Sequence, residues 1–315
     1  MKRLVVIDGH AILHRAYHAL PPLITHDGNV VNAVYGFASM LIRAIQDLKP
    51  DYLMVAFDHP KPTFRKKLFK EYQSQRPPME TTLISQIETV KRMVDLMGIP
   101  VYGMDGFEAD DVIGTIARKA GNIKTDEEEL ETVIITGDRD ILQLVNNCVK
   151  VYMPVKGLSE SKMYGIREVE EKYEIKPQQI PDFKALVGDA SDNYPGVSGI
   201  GPKTAIDLIK KYGSVEAVYR NLEKIGGKLE ERLSAGKESA VLSKKLAVIV
   251  CDVPIEVSIK DAKLPLLDRP AVISFFEKME FNSLISRLTN RNAGKEENKK
   301  IKTEKQNEGK QQSLF

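Results

Sequence analysis

Residues 3–10 read Arg-Leu-Val-Val-Ile-Asp-Gly-His, an unbroken aliphatic run stopped by Asp8 and Gly9. A short run of branched residues without polar alternation suits a strand covered on both faces, the kind found in parallel sheets flanked by helices. Working outward, YLMVAF (52–57) ends at Asp58, PVYGM (100–104) leads into FEADD (107–111), TVIIT (132–136) ends in Gly-Asp-Arg-Asp, and VKVYM (149–153) closes the series. Helical patterns separate these runs, so residues 1–165 are expected to form an α/β unit, a mostly parallel central sheet with flanking helices. Ligands bind such sheets beyond the carboxyl ends of the strands, where Asp8, Asp58 and Asp138 fall.

These acids belong to a larger set. Asp8, Asp58, the cluster Glu108, Asp110 and Asp111, the pair Asp138 and Asp140, and the pair Asp189 and Asp192 sit where apolar runs stop. Carboxylates gathered on one sheet edge raise one another's pKa values and cannot all stay ionised without a cation. All-oxygen ligation favours Mg²⁺ or Mn²⁺, and two or three ions would suit so many acids. Glu108 and Asp111, three positions apart, share a face of a helix's first turn; acids there also complement the helix dipole.

The chain of 315 residues exceeds one average domain. No apolar run approaches the roughly 18 residues of a membrane span, and MKRLVVIDGH is too short and breaks too early for a signal peptide. Cys148 and Cys251 lie far apart without ligand spacing, which disfavours a disulfide framework and a zinc site and makes a reducing cytoplasm the expected compartment. Net charge is +2, but residues 291–315 hold seven Lys or Arg against four Asp or Glu. The rest of the chain is therefore near neutral, and bound divalent cations would make it cationic.

Residues 63–80, TFRKKLFKEYQSQRPPME, interleave Arg65, Lys66, Lys67, Lys70 and Arg76 with Phe64, Phe69 and Tyr72. Basic side chains neutralise phosphates and aromatic faces stack bases, so this segment is expected to contact a nucleic-acid single strand; the plainer reading is a solvated amphipathic helix. Residues 126–131, DEEELE, read as a solvated acidic loop. From 166 to 290 the pattern is helical, with IREVEEKY (166–173) and PQQIPDFKALVG (177–188) preceding VSGIGPKTA (197–205). There Ser198, Gly199, Gly201, Lys203 and Thr204 surround a helix start at Pro202, a turn that offers backbone N–H groups to a phosphate without reading bases. AVISFFEKME (271–280) and FNSLISRL (281–288) are spaced as core helices, and residues 291–315 are too polar to fold alone.

In combination the motifs FDHPKPTFR, QRPPM, FEADDVIGT, TGDRD, GDASDNYPGV and GIGPKTA resemble, in order from Arg3 to about Leu288, the 5′-3′ exonuclease domain of bacterial DNA polymerase I, within the flap endonuclease family. The resemblance implies a resolvase-like, PIN-like nuclease fold, with an arch at about 63–97 and a helix-hairpin-helix-type DNA-binding region at 197–212. It implies that Asp8, Asp58, Glu108, Asp110 and Asp111 lie near a first ion and Asp138, Asp140, Asp189 and Asp192 near a second. It matches Arg15, Tyr72 and Arg76, with Phe64 and Arg65, to residues near the scissile phosphate, and implies a K⁺ at the glycine turn. The activity implied is two-metal hydrolysis of 5′ flaps, or of RNA primers on DNA, by a monomer, in primer removal and repair. One position departs: the arch usually reads Tyr-Lys-x-x-Arg, and here Gln73 follows Tyr72. A Gln there cannot supply charge to a transition state, so the alternative is a catalytically weak protein that binds branched DNA. No polymerase or proofreading domain follows in the sequence, and a stand-alone nuclease is expected.

The last residues, Gln311-Gln312-Ser313-Leu314-Phe315, resemble the sliding-clamp-binding pentapeptide of bacteria at Gln311, Ser313, Leu314 and Phe315. Leu314 and Phe315 would be apolar anchors on a tether.

Overall fold

A computed structural model describes residues 1–122, 129–156 and 160–289. Strands β1 (Lys2–Asp8), β2 (Tyr52–Ala56), β3 (Val101–Tyr102), β4 (Leu130–Ile135), β5 (Val149–Lys156) and β6 (Glu160–Tyr164) form one sheet in the order β3-β2-β1-β4-β5-β6. All neighbours are parallel except β5 and β6. Side-chain alternation then divides the centre of the sheet between two cores. Leu4 and Val6 of β1, Met54 and Ala56 of β2, and Leu130 and Ile134 of β4 face one side. Val5, Ile7, Leu53, Val55, Val133 and Ile135 face the other. The acid-tipped ends of β1 and β2 and the Thr136–Asp138 turn after β4 lie at the same edge because these strands run in register, with Ile7 beside both Val55 and Ile135.

Helices α1 (Gly9–Ala19), α2 (Asn32–Leu48) and α4 (Thr81–Leu96) cover the second core; α3 (Phe64–Leu68) is a single short turn after β2. Helix α5 (Ala109–Gly121) covers the first core through Val112, Ile113, Ile116 and Ala120. The chain then becomes helical: α6 (Ile166–Tyr173), α7 (Ile180–Val187), α8 (Pro202–Tyr212), α9 (Val215–Arg220), α10 (Leu222–Ile225), α11 (Gly227–Ala235), α12 (Lys237–Ala247) and α13 (Pro270–Lys278). Residues 282–289 are helical as well. Among the described residues, no helix is long and apolar enough to cross a membrane.

Three details differ from the expectation. The antiparallel edge strand β6, ESKMY, lacks an aliphatic run and does not announce itself. Leu130 and Glu131 are not solvated loop. They open β4, and Glu131 is buried between Arg3 at 2.7 Å and Lys150 at 2.7 Å. Burial pulls its carboxyl upward, but these two cations hold it below the usual range. Finally, residues 267–288 do not belong with the other late helices. Leu267, Val272, Phe275, Phe276, Phe281, Leu284 and Leu288 enter the second core beside Phe37 and Met93, against the N-terminal helices.

Candidate metal centre

Asp8 ends β1 and caps α1, accepting from Ala11 N at 3.0 Å, while its other oxygen accepts from Thr136 Oγ1 at 2.6 Å. The same hydroxyl accepts from Asp138 N at 2.9 Å, so Thr136 ties the ends of β1 and β4 together. Asp58, just past β2, accepts from Ala109 N at 2.7 Å, which draws the start of α5 to the sheet edge. Glu108 and Asp110 then face the same cleft as Asp8, Asp58, Asp138, Asp140 and Asp192, a space of about 1110 Å³. Burial, reinforced by Asp58 and Asp138, pushes Asp8 up to about 7. Burial likewise lifts Glu108 to about 7 against the pull of Arg65, and lifts Asp110 well above its ordinary range with Asp138, Asp8, Glu108 and Asp58 adding to it.

A second group adjoins the first. Carboxylate oxygens of Asp140, Asp189 and Asp192 lie within 4.8 Å of one another, and among the described residues no other three acids come so close. Asp189 and Asp192 sit on a two-strand turn, β7 (Gly188–Asp189) and β8 (Tyr194–Pro195). Its strands touch through glycine: a Cβ on Gly196 would lie 2.3 Å from Gly188 N, and Gly188 has φ +78°. Both positions therefore require glycine, and their approach holds the two acids beside Asp140. Burial lifts Asp140 to about 7 despite Lys184, whereas Asp189 is held below its usual range, its burial outweighed by Lys184 and Ser191.

The donor set fits a hard divalent cation. It is all oxygen, converges from several chain segments, and is too crowded with like charge to remain ionised alone. A further observation agrees. Tyr194, 3% exposed and electrostatically coupled to Asp140, Asp189 and Asp192, has a buried hydroxyl with no partner among the described residues. A buried hydroxyl beside carboxylates is satisfied by a water or ion that they hold.

Asp111 does not join the cleft. Its Oδ1 accepts from Arg65 Nη2 and Val250 N, each at 2.8 Å, and its Oδ2 from Arg65 Nη1 at 2.7 Å and Glu108 N at 3.0 Å. Those four bonds use its acceptor capacity, and it is fully buried. Its bond from Glu108 N belongs to the capping box that opens α5, with Glu108 as the N-cap residue. Arg65 is correspondingly no surface contact. It is 2% exposed and also donates to Leu246 O and Val248 O.

Residues 72–76 meet the second group directly. Gln73, in the left-handed region at φ 55°, donates from its backbone to Asp192 O at 2.8 Å and from its amide to Asp192 Oδ1 at 3.1 Å. Arg76 pairs with the same Oδ1 at 2.6 Å. Tyr72 is buried and stacked on Tyr194, its hydroxyl donating to Asp192 at 3.2 Å and Glu108 at 3.3 Å, so it offers no face to a base. Phe64 packs against Phe107. Arg15 and Lys66 line the cleft, Lys66 donating to Tyr72 O at 2.6 Å. Lys70 is exposed away from it. His10 and His14 of α1 also line the cleft, and neither stood out in the sequence.

Ser198, Gly199, Gly201, Lys203 and Thr204 are not among the residues that line the cleft. Gly199, at φ +77°, and Ser198 are exposed, Gly201 caps α8, and Lys203 and Thr204 occupy its first turn, with Arg232 donating to Gly199 O at 3.1 Å. Gln311, Ser313, Leu314 and Phe315 lie outside the described residues.

Comparison with known proteins places this geometry. Residues 3–174 match the model of the 5′-3′ exonuclease N-terminal resolvase-like domain, and 175–270 that of the 5′-3′ exonuclease C-terminal SAM fold. A 5′-3′ exonuclease of Aquifex aeolicus is 39% identical over 288 residues, 91% of this chain and 96% of that protein. DNA polymerase I of Caldicellulosiruptor bescii is 42% identical over 91% of this chain, and that of Bacillus subtilis 39% over 95%. The chain spans about a third of the length of these polymerases, 33% and 34%. In fold it is similar to the T5 D15 protein crystallised with metal ions, at TM-score 0.64 and 20% identity over 92% of this chain and 98% of that one. It is also similar to the catalytic core of Rad2 in complex with DNA, at TM-score 0.53 and 15% identity over 91% and 92%.

Proposed function

The chain belongs to the 5′-3′ exonuclease family, a family of metal-dependent nucleases, and from that premise we propose that it hydrolyses phosphodiester bonds at the 5′ ends and flaps of branched DNA and RNA/DNA hybrids. The observation that carries this reading is the convergence of seven carboxylates from five chain segments on one cleft walled by Arg15, Lys66 and Arg76. Asp8, Asp58, Glu108 and Asp110 would hold one divalent cation and Asp140, Asp189 and Asp192 another, with Mg²⁺ or Mn²⁺ the ions of choice; Asp138, expected beside the second ion, bears on Asp8 and Asp110 as well as on Asp140 and would serve between them. When bound, such cations neutralise the reacting phosphate and lower the pKa of water. The chain's own residues do the rest. Arg15 and Lys66 draw the phosphate backbone into the cleft, and Arg76, paired with Asp192 before substrate arrives, can exchange that carboxylate for a phosphate. No protein nucleophile is required. The exposed turn at Ser198–Thr204 would hold the duplex backbone, with or without a K⁺, so specificity follows junction shape.

The test is a 5′-flap duplex, end-labelled, with purified protein and Mg²⁺. Release of the flap is expected. Uncut substrate at high protein concentration would end the proposal. Binding in Ca²⁺ without cleavage, restored by Gln73→Lys, would favour the weaker DNA-binding alternative.

The cell-level context belongs to the same proposal: primer removal and repair in the cytoplasm, by a monomer tethered to a sliding clamp through Gln311, Ser313, Leu314 and Phe315. Deleting residues 311–315 is expected to abolish retention on immobilised clamp and leave flap cleavage unchanged. Equal retention by the shortened protein would remove the clamp from the account.

A further inference from the structure

Lys184 lies on α7, five residues before Asp189, and its ammonium donates to both Asp140 Oδ1 and Asp189 Oδ2. Its side chain is only 16% exposed. The other cation of this group, Arg76 on Asp192, is 53% exposed and can withdraw into solvent at little cost. The two basic groups are therefore not equivalent. Lys184 is built into the floor of the second acid group, and no motif in the sequence marks it.

An ammonium is a compact point charge without ligand capacity. It compensates Asp140 and Asp189 in the metal-free protein by occupying the oxygens that a cation would coordinate. A divalent ion arriving at the same oxygens must push Lys184 aside or tolerate a like charge within a few ångströms, and either costs binding free energy. The first acid group has no cation shared between two of its carboxylates: Arg65 reaches Glu108 at 3.2 Å but is committed to Asp111, and among the described residues Asp8, Asp58 and Asp110 have no Lys or Arg in ion-pair contact. We propose that Lys184 is the standing counter-ion of the second acid group, a positioning residue that makes this group the weaker of two cation sites and holds its carboxylates in place until the cation displaces it. The proposal rests on the reading of both groups as metal sites.

Calorimetric titration of the full-length chain with Mn²⁺ tests it without reference to activity. Two unequal sites are expected in the wild type. In Lys184→Met the weaker site should tighten by about tenfold or more, the ratio that about 1.4 kcal/mol of removed competition gives, while Lys184→Arg stays near wild type. In EDTA, Lys184→Met should melt below the wild type, and Mn²⁺ should raise its melting temperature by more than it raises that of the wild type. A variant that folds only on adding Mn²⁺ supports the proposal equally. Lys184→Gln, whose amide still donates to one carboxylate, guards against a misfolded Met variant. Unchanged or weaker affinity at that site in both the Met and Gln variants overturns the proposal and leaves the metal reading standing. Failure of the metal reading looks different: the wild type takes up no Mn²⁺, or Asp189→Asn takes up as much as the wild type.

Discussion

Asp110→Asn is expected to slow flap cleavage by about 10²–10³-fold or more and at the same time to raise the melting temperature of the metal-free protein. The two effects have one origin. Asp110 is half-buried on the cleft, and desolvation, with Asp138, Asp8, Glu108 and Asp58 adding to it, holds its carboxyl well above the ordinary value of 3.8. A folded-state pKa above the unfolded one means that the native protein binds the extra proton. Its stability is intact below the unfolded value and is lost as pH rises through the folded value. In EDTA the wild type should therefore lose stability from about pH 4 upward, with Asp8, lifted to about 7, adding to the loss. Asparagine carries no charge, so the advantage of the variant should widen over that range and shrink when Mg²⁺ is present to neutralise the wild type. Melting curves at several pH values, with and without Mg²⁺, check the stability half of the prediction; single-turnover cleavage checks the other. A variant that cleaves like the wild type would remove Asp110 from the chemistry. A metal-free variant that melts lower at pH 8 would refute the electrostatic account.

Arg65→Ala is expected to destabilise the fold by about 3–5 kcal/mol, the cost of leaving a buried charge without its partner. Arg65 is bidentate to Asp111, contacts Glu108 at 3.2 Å and donates to two carbonyls, Leu246 O and Val248 O. Removing it orphans a fully buried carboxylate as well as those carbonyls. The double change Arg65→Met with Asp111→Leu should recover only part of the loss, because it removes the unpaired buried charge but leaves Val250 N, Glu108 N and the two carbonyls without their side-chain partners. Urea unfolding of the two variants measures both. If Arg65→Ala unfolds at the wild-type midpoint and instead weakens DNA binding, Arg65 is the surface contact that its setting in a basic, aromatic segment suggests.

That residue shows how far sequence reasoning reaches. The strand-end acids were legible because β1, β2 and β4 are short aliphatic runs ending in acids, and parallel register carries those ends to one edge whatever the loops do. Side-chain roles within a cluster were less so. Glu108, Asp110 and Asp111 look alike in FEADD, and only the approach of Val250 N and Arg65 from distant segments separates the buried Asp111 from the two on the cleft. Lys184 was hidden for a related reason: as one lysine in an ordinary amphipathic helix, it acquires meaning when the Gly188–Gly196 contact folds Asp189 back over it. Tyr72 reads as a stacking platform for bases, yet the ring it stacks on is Tyr194, more than 100 positions later in the chain.

The return of residues 267–288 to the N-terminal core limits how far this molecule can be trimmed. Cutting the chain after residue 270, where the second family match ends, would strip Phe275, Phe276 and Phe281 from beneath Tyr35, Phe37 and α4. A shortened fragment made for crystallography or fusion would thus present a greasy scar on the face opposite α5, and would be prone to clump before its nuclease cleft was ever put to use. The helices over residues 270–288 act as a belt buckled back onto the side of the sheet that α1, α2 and α4 cover, and the shortest well-behaved version of the protein extends at least through Leu288.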